Sequence, residues 1–197
     1  MKTLLRLPFI TAFALLLFCI SPPPSSADTF PDAHDAAIEK AVGKWWGDFP
    51  DALYWKAQLW QESRLKTDAV SPAGARGISQ FMPATWEDVV RRLGLPRASS
   101  PHEARLAIDA GAFYMAQLRA AWTAKRPEIE RHRLAQASYN AGLGNILKAQ
   151  KLCGGARDWP DISPCLTRVT GRHARETQDY VPQIAMWRGQ MAAEGER

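Results

Sequence analysis

Trp55, Leu59 and Glu62 stand at i, i+4 and i+7, so a helix through them carries a carboxyl group on an otherwise apolar face. Burial on such a face disfavours the charged form and raises the pKa, which is what a general acid working near neutral pH requires. Position 62 taken alone also suits a helix end open to water, so its neighbours must decide. The stretch 71–83 that follows is rich in small residues and turn formers, and Gly74 and Gly77 let its backbone approach another group closely. Within it Gln80 offers both a donor and an acceptor, and Phe81 and Met82 offer apolar surface. Further on, Tyr139-Asn140 precedes Gly142, and Glu176-Thr177 precedes Tyr180-Val181. Tyr139 is an amphipathic side chain able to hydrogen-bond a buried carboxyl group, while Asn140 with Gly142 alone reads equally as a helix stop.

Those residues need a helical scaffold to hold them, and the apolar periodicity supplies one. Helical spacing runs over 32–42 and 50–63, and Thr85 with Asp88 suggests a capped helix over 85–93 that Gly94 and Pro96 stop. Ser100, Pro101 and Glu103 form a start signal for a long helix over 100–123, whose apolar stripe is Ala107, Ala110, Tyr114, Leu118 and Trp122. Gly111 in its middle is explained if another backbone passes close by. Helices are also expected over 127–138, 145–150 and 180–191, with 67–84 and 151–173 irregular and no stretch reading as a strand. The fold class is mainly α.

Taken in order, the four segments resemble the catalytic domain of the soluble lytic transglycosylases, lysozyme-like enzymes that cleave bacterial peptidoglycan. The resemblance runs over about 46–184 and rests on Glu62-Ser63, on the 71–83 stretch with Gly74, Gly77, Gln80 and Met82, on 135–142 with Tyr139-Asn140, and on Glu176-Thr177 with Tyr180-Val181. It implies a compact lysozyme-like helical domain with a substrate cleft, Glu62 as the single catalytic acid/base, Ser71, Gln80, Met82, Tyr139 and Asn140 lining the cleft, and Glu176 closing it. It also implies cleavage of the MurNAc-β-1,4-GlcNAc bond with formation of 1,6-anhydro-muramic acid ends. Ser79 stands where the family usually has methionine, which removes an apolar contact near the catalytic end, and Ser138 replaces a commoner alanine. A muramidase or chitinase-type hydrolase of the same architecture, with Asp68 or Glu176 activating water, is the nearest alternative. A wall-binding scaffold of a secretion or conjugation machine is another.

Length and composition fit this reading. The chain has 197 residues, 46% of them hydrophobic and 10% aromatic, which excludes disorder, collagen-like repeats and a miniprotein held only by disulfides. Residues 1–27 read as a secretory signal: Lys2 and Arg6, an apolar stretch over 7–20, then Ser25-Ser26-Ala27. Cleavage there leaves 28–197 as a single domain and removes two cations, lowering the net charge from +5 to +3. So mild and diffuse an excess suits the neighbourhood of an anionic wall polymer and does not argue for nucleic acid. No later segment is apolar long enough to cross a membrane, so the expected location is periplasmic or secreted. Cys153 and Cys165 remain as an even, closely spaced pair in an oxidising compartment, which points to one disulfide. His34, His102, His132 and His173 show no metal-ligand spacing, and no metal or other cofactor is expected. The alternating charges of Lys125, Arg126, Glu128, Glu130, Arg131 and Arg133 read as a solvated helix face.

Overall fold

A computed structural model describes residues 30–195, so the expected signal at 1–27 lies outside the described residues. Nine α-helices carry the described chain: α1 (Asp35–Trp45), α2 (Ala52–Ser63), α3 (Pro83–Leu93), α4 (Ala104–Ala121), α5 (Glu128–Ala141), α6 (Leu143–Leu152), the single turns α7 (Trp159–Ile162) and α8 (Thr167–Thr170), and α9 (Ala174–Gly195). Among the described residues extended pairing is limited to isolated bridges, Val70 with Arg76 and Arg76 with Phe81. No described helix is long and apolar enough to cross a membrane.

The core grips α2 from two sides. Ala57 of α2 packs with Leu134, Ile146, Ile162, Tyr180 and Ile184, whereas Trp55 and Leu59 pack on another side with Ile38, Trp46, Ile78, Ile108 and Met115. A third cluster, Phe81, Trp86, Val89, Val90 and Phe113, seats α3 on α4. Three indoles lock the first helices to α4 by donating to it: Trp45 Nε1 to Asp109 Oδ1 at 2.9 Å, Trp46 Nε1 to the Ala112 carbonyl at 2.9 Å and Trp55 Nε1 to the Ile108 carbonyl at 3.3 Å. Buried indoles need such partners, and here the partners also fix helix register.

Gly111 faces an aromatic ring, where the sequence suggests a passing backbone. A Cβ built there would lie 2.6 Å from Cζ2 of Trp55 and 3.0 Å from Oγ of Ser79. The glycine is therefore the notch into which α2 sets its buried tryptophan.

Several helix ends differ from expectation, each for a local reason. α3 begins at Pro83, with Met82 as its N-cap, because a proline at the first helical position has a preset φ and lacks only an N–H that would be unpaired anyway. Asp88 accordingly makes no capping box and pairs with Arg91 and Arg92. α4 begins at Ala104, and the 100–103 turn before it serves as a clamp. There Ser100 Oγ accepts from the His102 N–H at 3.2 Å, and His102 Nδ1 lies 2.9 Å from the Thr67 carbonyl. α9 starts six residues before the apolar period does, because its first turns are polar and held by an Arg175–Asp179 ion pair at 2.7 Å. The 151–173 stretch is built of short helical turns, and within it Cys153 and Cys165 form a disulfide. The 125–133 charges are a partly buried network instead of a solvated face: Arg126 and Glu130 are both buried, Glu130 Oε2 accepts from the Trp159 N–H at 2.9 Å, and Arg131 pairs with Glu128.

Candidate active site

Glu62 occupies the last turn of α2, where that helix leaves the core and stays partly open to solvent. The chain then turns abruptly. Arg64 and Leu65 both adopt left-handed backbone angles, φ 56° and 60°, which cost non-glycine residues energy and cluster where surrounding structure holds them. Ser63 provides one such hold, its Oγ donating to the Ile78 carbonyl at 2.8 Å and so bolting the loop to the helix.

The loop itself is self-braced. Ser71 Oγ accepts from the Ala75 N–H at 3.0 Å, and the Ser71 N–H donates to the Ala75 carbonyl at 2.9 Å. Gly77, at φ +73°, passes so close to the Pro101 carbonyl that a Cβ would lie 1.8 Å from its oxygen. Gln80 has φ 45°, and its Nε2 donates to the Gly77 carbonyl at 2.9 Å. The Gln80 amide nitrogen therefore shapes the loop. Ser79 is fully buried and donates to the Ala107 carbonyl at 2.9 Å, so it faces α4. Ser138 likewise lies in the core, donating to the Leu134 carbonyl at 2.6 Å and accepting from Trp122 Nε1.

Around Glu62 the fold gathers side chains from α5 and α9. The Tyr180 hydroxyl donates to Oε1 of Glu62. Sequence reasoning gave that task to Tyr139, but the Tyr139 hydroxyl donates to the Ser79 carbonyl at 2.6 Å and reaches Glu62 only electrostatically. Tyr180 was legible in principle, since it stands four residues after Glu176 and so shares its helix face once α9 is extended to Ala174. Asn140 is bonded through both ends of its amide: its Nδ2 donates to Glu176 Oε1 at 3.2 Å and its Oδ1 accepts from Thr177 Oγ1 at 2.6 Å. It thus holds Glu176, the residue it was expected to face across a cleft. Glu62, Met82, Tyr139, Asn140 and Glu176 all keep part of their surface open, whereas Ser71 and Gln80 are buried in the loop. Asp68, a candidate for activating water, is exposed on that loop.

Electrostatics single out Glu62. Burial pushes its pKa up to about 8, the Tyr180 hydrogen bond offsets part of that rise, and the nearby Glu176 adds to it. Glu176 is itself raised by burial, against the stabilising bond from Asn140. Both flanking phenols, Tyr139 and Tyr180, are held well above their usual pKa by burial first and then by Glu62. The result is a neutral carboxylic acid with one oxygen held by a phenol.

Comparison with known proteins settles the lineage. Residues 53–162, more than half the chain, match the Transglycosylase SLT domain. The chain belongs to the SLT transglycosylase family. The membrane-bound lytic murein transglycosylase F of Serratia proteamaculans is 32% identical over 143 residues, and that of Thiobacillus denitrificans is 33% identical over 121. These alignments cover 69% and 59% of this chain but only 27% and 24% of the relatives, so the chain spans about a quarter of their length. Among solved structures, an inactive mutant of lytic transglycosylase Slt from Pseudomonas aeruginosa superposes with a TM-score of 0.65 at 26% identity, covering 83% of this chain and 25% of that one. The 70 kDa soluble lytic transglycosylase of Escherichia coli gives 0.65 at 24% identity, covering 81% and 24%, and shows the shared fold. The helical domain of this SLT family member is therefore the lysozyme-like fold of the lytic transglycosylases.

Proposed function

We propose that this chain is a peptidoglycan lytic transglycosylase in which Glu62 is the sole acid/base. The observation that carries the reading is the state of Glu62: a glutamate with part of its surface open, its carboxyl group kept protonated to about pH 8 by burial, at the end of a deeply packed helix. Such a group can donate its proton to the oxygen bridging MurNAc and GlcNAc. As that bond breaks, positive charge develops at the muramic-acid anomeric carbon. The carboxylate left on Glu62 then removes the proton from the sugar's own 6-hydroxyl, whose oxygen closes on the anomeric carbon, so the acid is regenerated and no water is consumed. An intramolecular nucleophile needs no second carboxylate to orient it, and proximity can supply several kcal/mol of the barrier. Glu176, bound by Asn140 and with its pKa raised, is better suited to shaping the far side of the site than to attack. Met82 and Tyr139 supply its apolar walls, and Gln80 and Ser71 set the loop that carries Met82.

The relatives give independent support. The two bacterial relatives above are named as lytic murein transglycosylases, one superposable structure is a complex of the 70 kDa soluble lytic transglycosylase with bulgecin A, and the inactive Pseudomonas mutant carries a glutamate-to-glutamine change. On this reading residues 1–27 direct export and are removed, residues 28–197 act as one domain on glycan strands in the periplasm or outside the cell, and a position beside an envelope-spanning secretion or conjugation machine is one use of such an activity.

The test is product analysis on purified peptidoglycan. Chains cut by the wild-type protein are expected to end in 1,6-anhydro-muramic acid, one water lighter than a hydrolysed end and silent in a reducing-end assay. Glu62→Gln, which keeps the shape and loses the transferable proton, is expected to abolish lysis with an unchanged circular dichroism spectrum. Reducing ends in place of anhydro ends would assign the hydrolase instead, and binding of sacculi without release of either would assign the scaffold.

A further inference from the structure

One polar side chain behind the site has no role in the mechanism above. Gln58 lies one helical turn before Glu62 on the same face of α2, and it is fully buried. Neither its Nε2 nor its Oε1 is bonded at full hydrogen-bonding geometry to any described protein group. A buried amide left in that state is costly, and an apolar side chain of the same length would fill the space without that cost. What Gln58 faces is the Tyr180 hydroxyl, and its influence there is to draw the phenol's pKa down, against the upward pull of burial and Glu62. A neighbour that lowers a phenol's pKa is one that donates to its oxygen.

We propose that Gln58 is a positioning residue, its Nε2–H donating to the Tyr180 oxygen and thereby fixing the direction of the Tyr180–Glu62 hydrogen bond. The inference rests on Glu62 being the acid and adds which of its two oxygens bears the proton. A phenol hydroxyl can donate or accept. If the Tyr180 oxygen were free to accept, the Glu62 proton could sit on Oε1 and point at Tyr180, away from any substrate. With Gln58 donating into that oxygen, Tyr180 must donate to Oε1 of Glu62, and the carboxyl proton is left on Oε2. A rotation of the terminal amide about its soft final torsion closes the Gln58 bond, and bonds of this kind commonly tighten only when substrate is bound. The charged and titratable groups around this relay are Glu176 and Tyr180 of α9, Tyr139 of α5 and Glu62 itself. Among them Gln58 donates from the core side.

The experiment is a double-mutant cycle on purified peptidoglycan, with Gln58→Met as the shape-conserving variant and Tyr180→Phe as its partner. Gln58→Met is expected to lower kcat about tenfold with KM within about twofold, because the interaction removed orients a proton and does not bind sugar. Its alkaline limb is expected to move upward by about half a unit or more, since Glu62 loses a donor-reinforced bond to its charged form. In the Tyr180→Phe background the same change is expected to cost nothing further. Wild-type kcat and an unmoved limb in Gln58→Met, or a loss that adds in full to that of Tyr180→Phe, would overturn the proposal. If the Met variant does not fold, neutron diffraction of the wild-type protein decides: a deuteron on Oε2 of Glu62 sustains the proposal and one on Oε1 directed at Tyr180 overturns it. Glu62→Gln, run alongside, separates the two readings. A lysing Glu62→Gln removes Glu62 as acid, whereas a dead Glu62→Gln beside an unaffected Gln58→Met removes only the role of Gln58.

Discussion

A carboxylic acid whose pKa rises on folding lowers stability wherever the unfolded chain would ionise it. Glu62 goes from an ordinary value of 4.5 to about 8, so below pH 4.5 it is neutral in both states and has no effect. Between 4.5 and 8 the folded state holds a proton that the unfolded state has released, and stability falls as pH rises, by ~1.4 kcal/mol per pH unit at most. Glu62→Gln is therefore expected to match the wild type near pH 4.5 and to exceed it by a few kcal/mol at pH 8, as read by urea unfolding at the two pH values. A constant difference would mean that Glu62 is hydrated like a surface acid. The placement of Glu62 could be read from the sequence, because the spacing from Trp55 and Leu59 is local. Its hydrogen-bond partner could not, because Tyr180 is 118 residues away and only the packing of α9 on α2 brings it there.

Elements rather than residues decide where that carboxyl group sits: α2 is set in a notch and packed on α9, and a brace closes the turns that lead into α9. The notch is Gly111 of α4, filled by the Trp55 ring. Gly111→Ala would normally strengthen a helix by about 1 kcal/mol, but here the methyl meets a buried indole with nowhere to go, and overpacking costs about 1–3 kcal/mol. A net loss of stability is expected in urea, together with reduced lysis, since Trp55 is two turns before Glu62 on the same helix. The brace is the set of short turns between α6 and α9, closed by Cys153–Cys165 at a sequence separation of 12. For a loop of that size the constraint on the unfolded chain is worth about 3 kcal/mol, so the paired Cys153→Ser and Cys165→Ser variant is expected to melt about 5–10 °C lower. The elements were legible in the sequence wherever apolar residues repeat, as in α2 and α4. They were obscured where polar residues carry the helix: Ala174 to Asp179 pairs charges along its own face and shows no apolar period, so α9 is found six residues late from pattern alone.

Across the whole molecule a second buried titratable group works against Glu62. His132 of α5 is enclosed by Trp46 and Phe49 from the α1–α2 connection and by Tyr54 of α2, with ring centroids at 4.9, 4.5 and 5.2 Å, and Arg119 Nη1 of α4 approaches its Nδ1 at 3.4 Å. Burial first, and the Arg119 charge second, hold its pKa well below the ordinary 6.5. The unfolded chain takes up a proton below pH 6.5 that the folded chain refuses, so this group removes stability as pH falls. The two slopes oppose each other below pH 6.5, where Glu176, raised in the same sense as Glu62, adds to the Glu62 side, while above 6.5 the His132 slope is absent. Wild-type unfolding free energy is thus expected to change less with pH below 6.5 than above it, where it declines toward pH 8. His132→Phe, which keeps the stack on Phe49 and cannot be protonated, is expected to expose a decline across the whole range. Glu62→Gln is expected to do the reverse, with a flatter profile above 6.5 and a loss on acidification below it. Parallel profiles for the three proteins would mean that neither group changes its protonation on folding, and the neutral acid that the proposed activity requires would have no thermodynamic trace.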